Sequence, residues 1–145
     1  MKNCNQNDNT ELRDHGPEPF VFNINRASII NKNFRTTLWT GKDMQLTVMS
    51  IPVNSDIGVE MHSTGDQFIR IVDGRAKVFT GNSRENLSLN SYADKNYAVI
   101  IPAGTWHNIV NAGNRPLKLY SLYAPPQHAF GTVHKTKEEA EHEEH

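Results

Sequence analysis

The sequence predicts an all-β protein: an antiparallel barrel followed by a short C-terminal helix. Three observations carry this reading. From Phe20 onward, short runs rich in β-branched and aromatic residues alternate with turn residues, at roughly ten-residue spacing. Helical periodicity is absent until the tail. The length, 145 residues and 16.4 kDa, suits one domain large enough to bury a core without disulfide staples.

Residues 1–16 are Asn- and Asp-rich with almost no apolar content, and are expected to form a mobile arm. Gly16-Pro17-Glu18-Pro19 then marks a boundary, because the prolines forbid helix and favour extended chain. The barrel is expected over 17–125, with strands at 20–24, 36–40, 44–51, 57–62, 67–73, 76–80, 97–101, 106–111 and 117–123. Asp73-Gly74 reads as the turn of a tight hairpin, since both residues tolerate positive φ. Met44, Met49 and Met61 are assigned to the core. Residues 126–145 form a C-terminal extension. Its first part, up to His134, is too apolar for a free tail and is expected to pack on its own barrel or a neighbour's. Its end can form a helix capped by Thr136, with acidic residues in the first turn.

Composition excludes several classes. Fifteen basic residues nearly balance sixteen acidic ones, for a net charge of -1, and no basic stripe suggests a nucleic-acid partner. Mean hydropathy is -0.62, and no apolar run approaches the roughly 20 residues of a membrane span. The opening residues lack the apolar region of a secretory signal, which makes the cytoplasm the expected location. One cysteine, Cys4, rules out an internal disulfide and a thiolate-rich zinc site. The expected partner is a small molecule or a second copy of the chain.

Two segments bear chemistry. In Ile57-Gly-Val-Glu60-Met-His62, the carboxylate and imidazole are two residues apart on an expected strand, so they project from one face. Gln67 begins the returning strand after the Ser63-Thr-Gly-Asp66 turn. In Pro102-Ala-Gly104-Thr-Trp-His107, the turn delivers His107 to the start of the next strand, with Trp106 facing the other way. One carboxylate, two imidazoles and an amide oxygen suit a divalent first-row ion such as zinc, iron, manganese or nickel. By itself a Glu-x-His is a common pattern, and a lone histidine in a strand is more often a hydrogen-bonded core or surface residue than a ligand. Tyr92, Tyr97, Tyr120, Tyr123, His128 and His134 are available for proton transfer but read first as packing or surface. His142 and His145 read as a solvated face.

The two segments together resemble the paired motifs of the cupins, small antiparallel β-barrels. The first motif, G-x5-H-x-H-x3-4-E-x6-G, falls on Asn54, Glu60, His62, Gln67 and Gly74. The second, G-x5-P-x-G-x2-H-x3-N, falls on Asn96, Pro102, Gly104, His107 and Asn111. Every spacing is met, and six of the ten positions carry the family's residue. Asn54 and Asn96 replace glycines, and Asn is the residue that best tolerates a left-handed backbone in glycine's place. Glu60 replaces a histidine and Gln67 the acidic ligand, so the carboxylate has moved and the ligand charge is kept. The resemblance implies metal ligation by Glu60, His62, Gln67 and His107, and a structural role for Asn111. It also implies a homodimer, and is nearest to small single-domain cupins described as mannose-6-phosphate isomerase-like. It spans isomerases, dioxygenases, lyases and plain binding domains. The function expected is therefore metal-dependent work on a small polar metabolite, isomerase-like or dioxygenase-like. The rivals are a non-enzymatic binding or sensor module and an inert barrel with a structural polar cluster.

Overall fold

The protein is described here by a computed structural model covering residues 10–143. Among these residues the order of elements is α1 (Ile24–Ile30), β1 (Arg35–Thr40), β2 (Gln45–Ile51), β3 (Asp66–Asp73), β4 (Ala76–Gly81), β5 (Leu87–Ala93), β6 (Ala98–Ile101), β7 (Trp106–Asn111), β8 (Leu117–Ala124), β9 (Val133–His134) and α2 (Lys137–Glu143). A six-stranded sheet in the order β6-β3-β8-β2-β1-β9 faces a three-stranded sheet in the order β5-β4-β7, and every pairing is antiparallel.

The register decides what lines the interior. Directly opposed residues share a face, so Gln45, Tyr123 and Gln67 form one row, Thr47, Ser121 and Ile69 the next, and Met49, Leu119 and Ile71 a third. One end of the interior is thus polar. The other is apolar, where Met49, Ile51, Ile71, Leu117 and Leu119 meet Val78 and Ile109 of the smaller sheet. The outer face of the larger sheet carries Leu38, Leu46 and Val48, covered by Leu12, Phe22, Ile24 and Ala27.

That cover corrects the reading of the N-terminal region. Residues 20–24 do not form a strand. Instead Asn23 caps α1, its side-chain oxygen accepting from the Arg26 backbone N–H at 3.0 Å. Residues 10–16 lie against the barrel: the Asp14 carboxylate accepts from Thr40 Oγ1 and from the backbone N–H groups of Gly16 and Gly131. The remainder of the expected mobile arm, 1–9, lies outside the described residues.

Three further expectations are corrected. Asp73-Gly74 is not a hairpin turn, because β3 and β4 belong to different sheets; the pair turns the chain from one sheet to the other, with Gly74 at φ 100°. Residues 57–62 are not a regular strand but are held by single bridges, Asp56 to Val110 and Glu60 to His107. Met44 is 45% exposed rather than core. The strand β5 is not marked in the sequence, because most of its residues face solvent and its apolar alternation is confined to Leu87-Ser88-Leu89. At the other end, the expected helix is present. Thr136 Oγ1 accepts from the Glu139 backbone N–H, and Ala140 is buried. β9 adds a short pairing to β1, so the extension packs on its own barrel.

Candidate metal centre

Glu60 and His107 are brought together by backbone before their side chains meet. They form a reciprocal pair, Glu60 N to His107 O at 3.0 Å and His107 N to Glu60 O at 2.9 Å. The loop of the second segment is pinned to the first. Gly104 N donates to His62 O at 2.9 Å, and Ala103 N donates to Asp66 Oδ1. Gly104 sits at φ 82° with open space where a Cβ would project, so its backbone angle is what demands glycine. Asn54 and Asn96 have φ of 65° and 75°, the left-handed conformation expected of them.

The side chains converge. His62 Nε2 lies 3.1 Å from Glu60 Oε1, and His107 Nε2 lies 3.7 Å from the same oxygen. One donor atom from each of the three residues falls within 4.8 Å of the others. His107 is completely buried. Its Nδ1 donates to the Thr105 carbonyl at 3.0 Å, which leaves a lone pair on Nε2, and that atom has no hydrogen-bond partner among the described residues. A histidine fixed at one nitrogen and bare at the other is the arrangement that metal-ligating imidazoles adopt. Burial alone would raise the Glu60 pKa, but the hydrogen bond with His62 and the charge of Arg35 work against it. Together they hold the carboxyl well below the usual range, so it is ionised and ready to ligate. The donor set therefore fits a divalent ion. Glu60 and His62 keep 19% and 16% side-chain exposure, so the centre is reached from solvent.

Gln67 stands on the adjoining wall. It is buried, it pairs across the sheet with Tyr123, and the Tyr123 ring packs edge-on against His62 with centroids 5.6 Å apart. Its amide nitrogen donates to Ser121 Oγ at 3.3 Å, and its oxygen is buried without a partner among the described residues. Trp106 faces outward beneath the Arg84 guanidinium. Asn111 is structural, donating to the carbonyls of Ile51 and Arg115 and accepting from Gly113 N.

The remaining candidates separate. Tyr92 and Tyr97 are exposed and Tyr120 packs on the outer face, whereas Tyr123, His128 and His134 line the interior. Burial raises the Tyr123 phenol, and burial together with Arg35 pushes His128 down to about 3, so both are neutral near pH 7. His142 lines, with Glu60, Arg84, Glu138 and Glu141, a groove of about 510 Å³ beside the centre; His145 lies outside the described residues. Arg35 was not foreseen. In the sequence, the β-branched run that marks this strand begins at Thr36, and nothing sets Arg35 apart.

Residues 47–123 match the Cupin domain family. The chain belongs to the cupins. It is similar to the uncharacterized protein YrkC of Bacillus subtilis, 51% identical over 140 residues, covering 97% of this chain and 75% of that one. The crystal structure of BH2720 from Bacillus halodurans superimposes with a TM-score of 0.88 at 54% identity, covering 90% of this chain and 98% of the other. A Klebsiella pneumoniae protein with a double-stranded β-helix domain gives 0.59 at 19% identity, over 74% and 83%, which is a likeness of fold alone. The cupin expectation and the all-β architecture are thereby established, with Glu60, His62 and His107 gathered at one point of the barrel.

Proposed function

We propose that this cupin binds one divalent metal ion through Glu60, His62, His107 and Gln67, and acts on a small polar metabolite that takes the open coordination positions. The observation that carries the reading is the buried, bare Nε2 of His107, held 3.7 Å from an ionised Glu60 that also meets His62. The bound ion would polarise a carbonyl or acidify a bound water. The chain's own residues supply the rest: Thr105 O sets the His107 ring, Ser121 holds the Gln67 amide so that its oxygen faces away from that bond, and Tyr123 walls off His62. The reaction class we favour is isomerase-like or dioxygenase-like, carried out by a cytoplasmic homodimer of the mannose-6-phosphate isomerase-like group. The metal is zinc, iron, manganese or nickel.

One observation favours a second reading, a non-enzymatic binding or sensor module. Neither Tyr123 nor His128 is poised to exchange a proton near neutral pH, which leaves acid–base work to the metal centre itself. Ligand-dependent stabilisation without turnover across a metabolite panel would favour that module.

The test is elemental analysis of untagged protein purified without a nickel column. His142→Ala serves as the background, so that this groove histidine adds no metal. About one equivalent of a single metal is expected, lost in both Glu60→Ala and His107→Ala and weakened in Gln67→Ala. Full stoichiometry in His107→Ala overturns the assignment.

A further inference from the structure

Arg35 opens β1, and its partners across the sheet are Met49 and His134. It is only 1% exposed. A guanidinium taken out of water at this depth is costly unless it meets an anion. Its one hydrogen-bonded nitrogen among the described residues is Nη1, which donates to His134 Nδ1 at 3.0 Å. That bond requires a lone pair on Nδ1, so the ring hydrogen sits on Nε2 and is donated to Glu143 of α2. No carboxylate touches Arg35 directly among the described residues, and its Nε is buried with no partner.

Arg35 looks into the same interior as the metal centre. Rings lead from one to the other: His62 to Tyr123 at 5.6 Å between centroids, Tyr123 to His128 at 5.3 Å, and His128 to His134 at 6.4 Å. Along this wall the Thr47 hydroxyl is likewise buried, with no hydrogen-bond partner among the described residues. A divalent ion added to a single ionised Glu60 and a buried Arg35 leaves the interior net positive, where charges are weakly screened. The missing component is an anion.

Resting on the metal reading above, we propose that the metabolite is an anion, a carboxylate or a phosphate ester. It ligates the metal through one donor and offers its oxyanion to the Arg35 Nε–H, with the Thr47 hydroxyl as a second donor. His134 and Glu143 orient the guanidinium without neutralising it at the ligand side.

The experiment is calorimetric titration of the metal-loaded protein, with metal content measured on the same samples. The probes are glycolate, pyruvate, succinate and glycerol phosphate, against uncharged glycolamide and glycerol. At least one acid is expected to bind tenfold or more tightly than its uncharged counterpart. Arg35→Met is expected to keep its metal and lose that preference, while Arg35→Lys, which keeps the charge but not the planar fork, retains part of it. Carboxylate against phosphate preference identifies the oxyanion. Uncharged probes binding as well as acids, or acids binding Arg35→Met undiminished, overturns the proposal. If Arg35→Met does not fold, the acid preference of the unaltered protein and its reduction in Arg35→Lys decide. Protein that takes up no metal defeats the metal reading instead, and acid binding measured in that protein then tests Arg35 separately.

Discussion

At the scale of single residues, the polar end of the barrel is a set of groups whose protonation is set by burial. His128 is the clearest case. Burial, reinforced by the positive charge of Arg35, pushes it down to about 3, against about 6.5 in an unfolded chain. Above pH 6.5 both states are neutral and the residue contributes nothing to pH dependence. Between pH 6.5 and 3 the unfolded chain takes up a proton that the folded one refuses, so stability falls as pH falls, by at most about 1.4 kcal/mol per pH unit. His128→Gln is therefore expected to flatten the loss of stability between pH 7 and 5, measured by urea unfolding in the presence of a chelator. An unchanged slope would show that His128 takes up its proton without unfolding. The motif asparagines act at this scale too. Asn54 and Asn96 adopt the positive φ of the glycines that they replace, so both turns persist despite the substitutions.

At the scale of elements, the segments outside the barrel strands are fastened by a few polar ties. Asp14 is the strongest knot. Its carboxylate accepts from Thr40 of β1, from Gly16, and from Gly131 in the C-terminal extension, and these bonds outweigh burial to hold its pKa low. Asp14→Ala leaves those donors without a partner. It is expected to cost about 1–3 kcal/mol in chemical denaturation and to increase amide exchange in both residues 10–30 and residues 129–132. A stability change without exchange at Gly131 would show that the two ends are held independently. Helix α2 is fastened in the same manner. Lys137 pairs with Asp56, and Glu143 with His134, so the tail is tied both to the loop before Glu60 and to the histidine that orients Arg35.

For the whole molecule, the metal reading makes stability depend on metal concentration. An ion that binds only the folded chain adds about 2.7 kcal/mol at a hundredfold excess over its Kd, which for a domain near 150 residues raises Tm by roughly 5–10 °C. The increment is expected to vanish with chelator and in His107→Ala, as followed by calorimetry. A Tm indifferent to chelator in fully loaded protein would mean that the polar cluster holds the barrel without an ion.

The sequence by itself determined the barrel class and most strand positions, and pointed to Glu60, His62 and His107. β-branched runs between turn residues reflect local preference and one-sided burial, and the spacing of Glu60, His62 and His107 is legible without coordinates. Thr136 and the asparagines at 54 and 96 were legible for the same reason, since caps and left-handed turns are local chemistry. Tertiary structure alone decided the rest. Asp73-Gly74 turns the chain from one sheet to the other because the partners of β3 are β6 and β8, which lie far along the chain. Ile24–Ile30 becomes a helix because an outer sheet face needs covering, although its isoleucines suit a strand equally well. Arg35 is buried because β9 returns to pair with β1 and brings His134 against it, about 100 residues away in the chain. An isolated arginine carries no sign of such a partner, because burial is a property of the closed barrel and not of the segment.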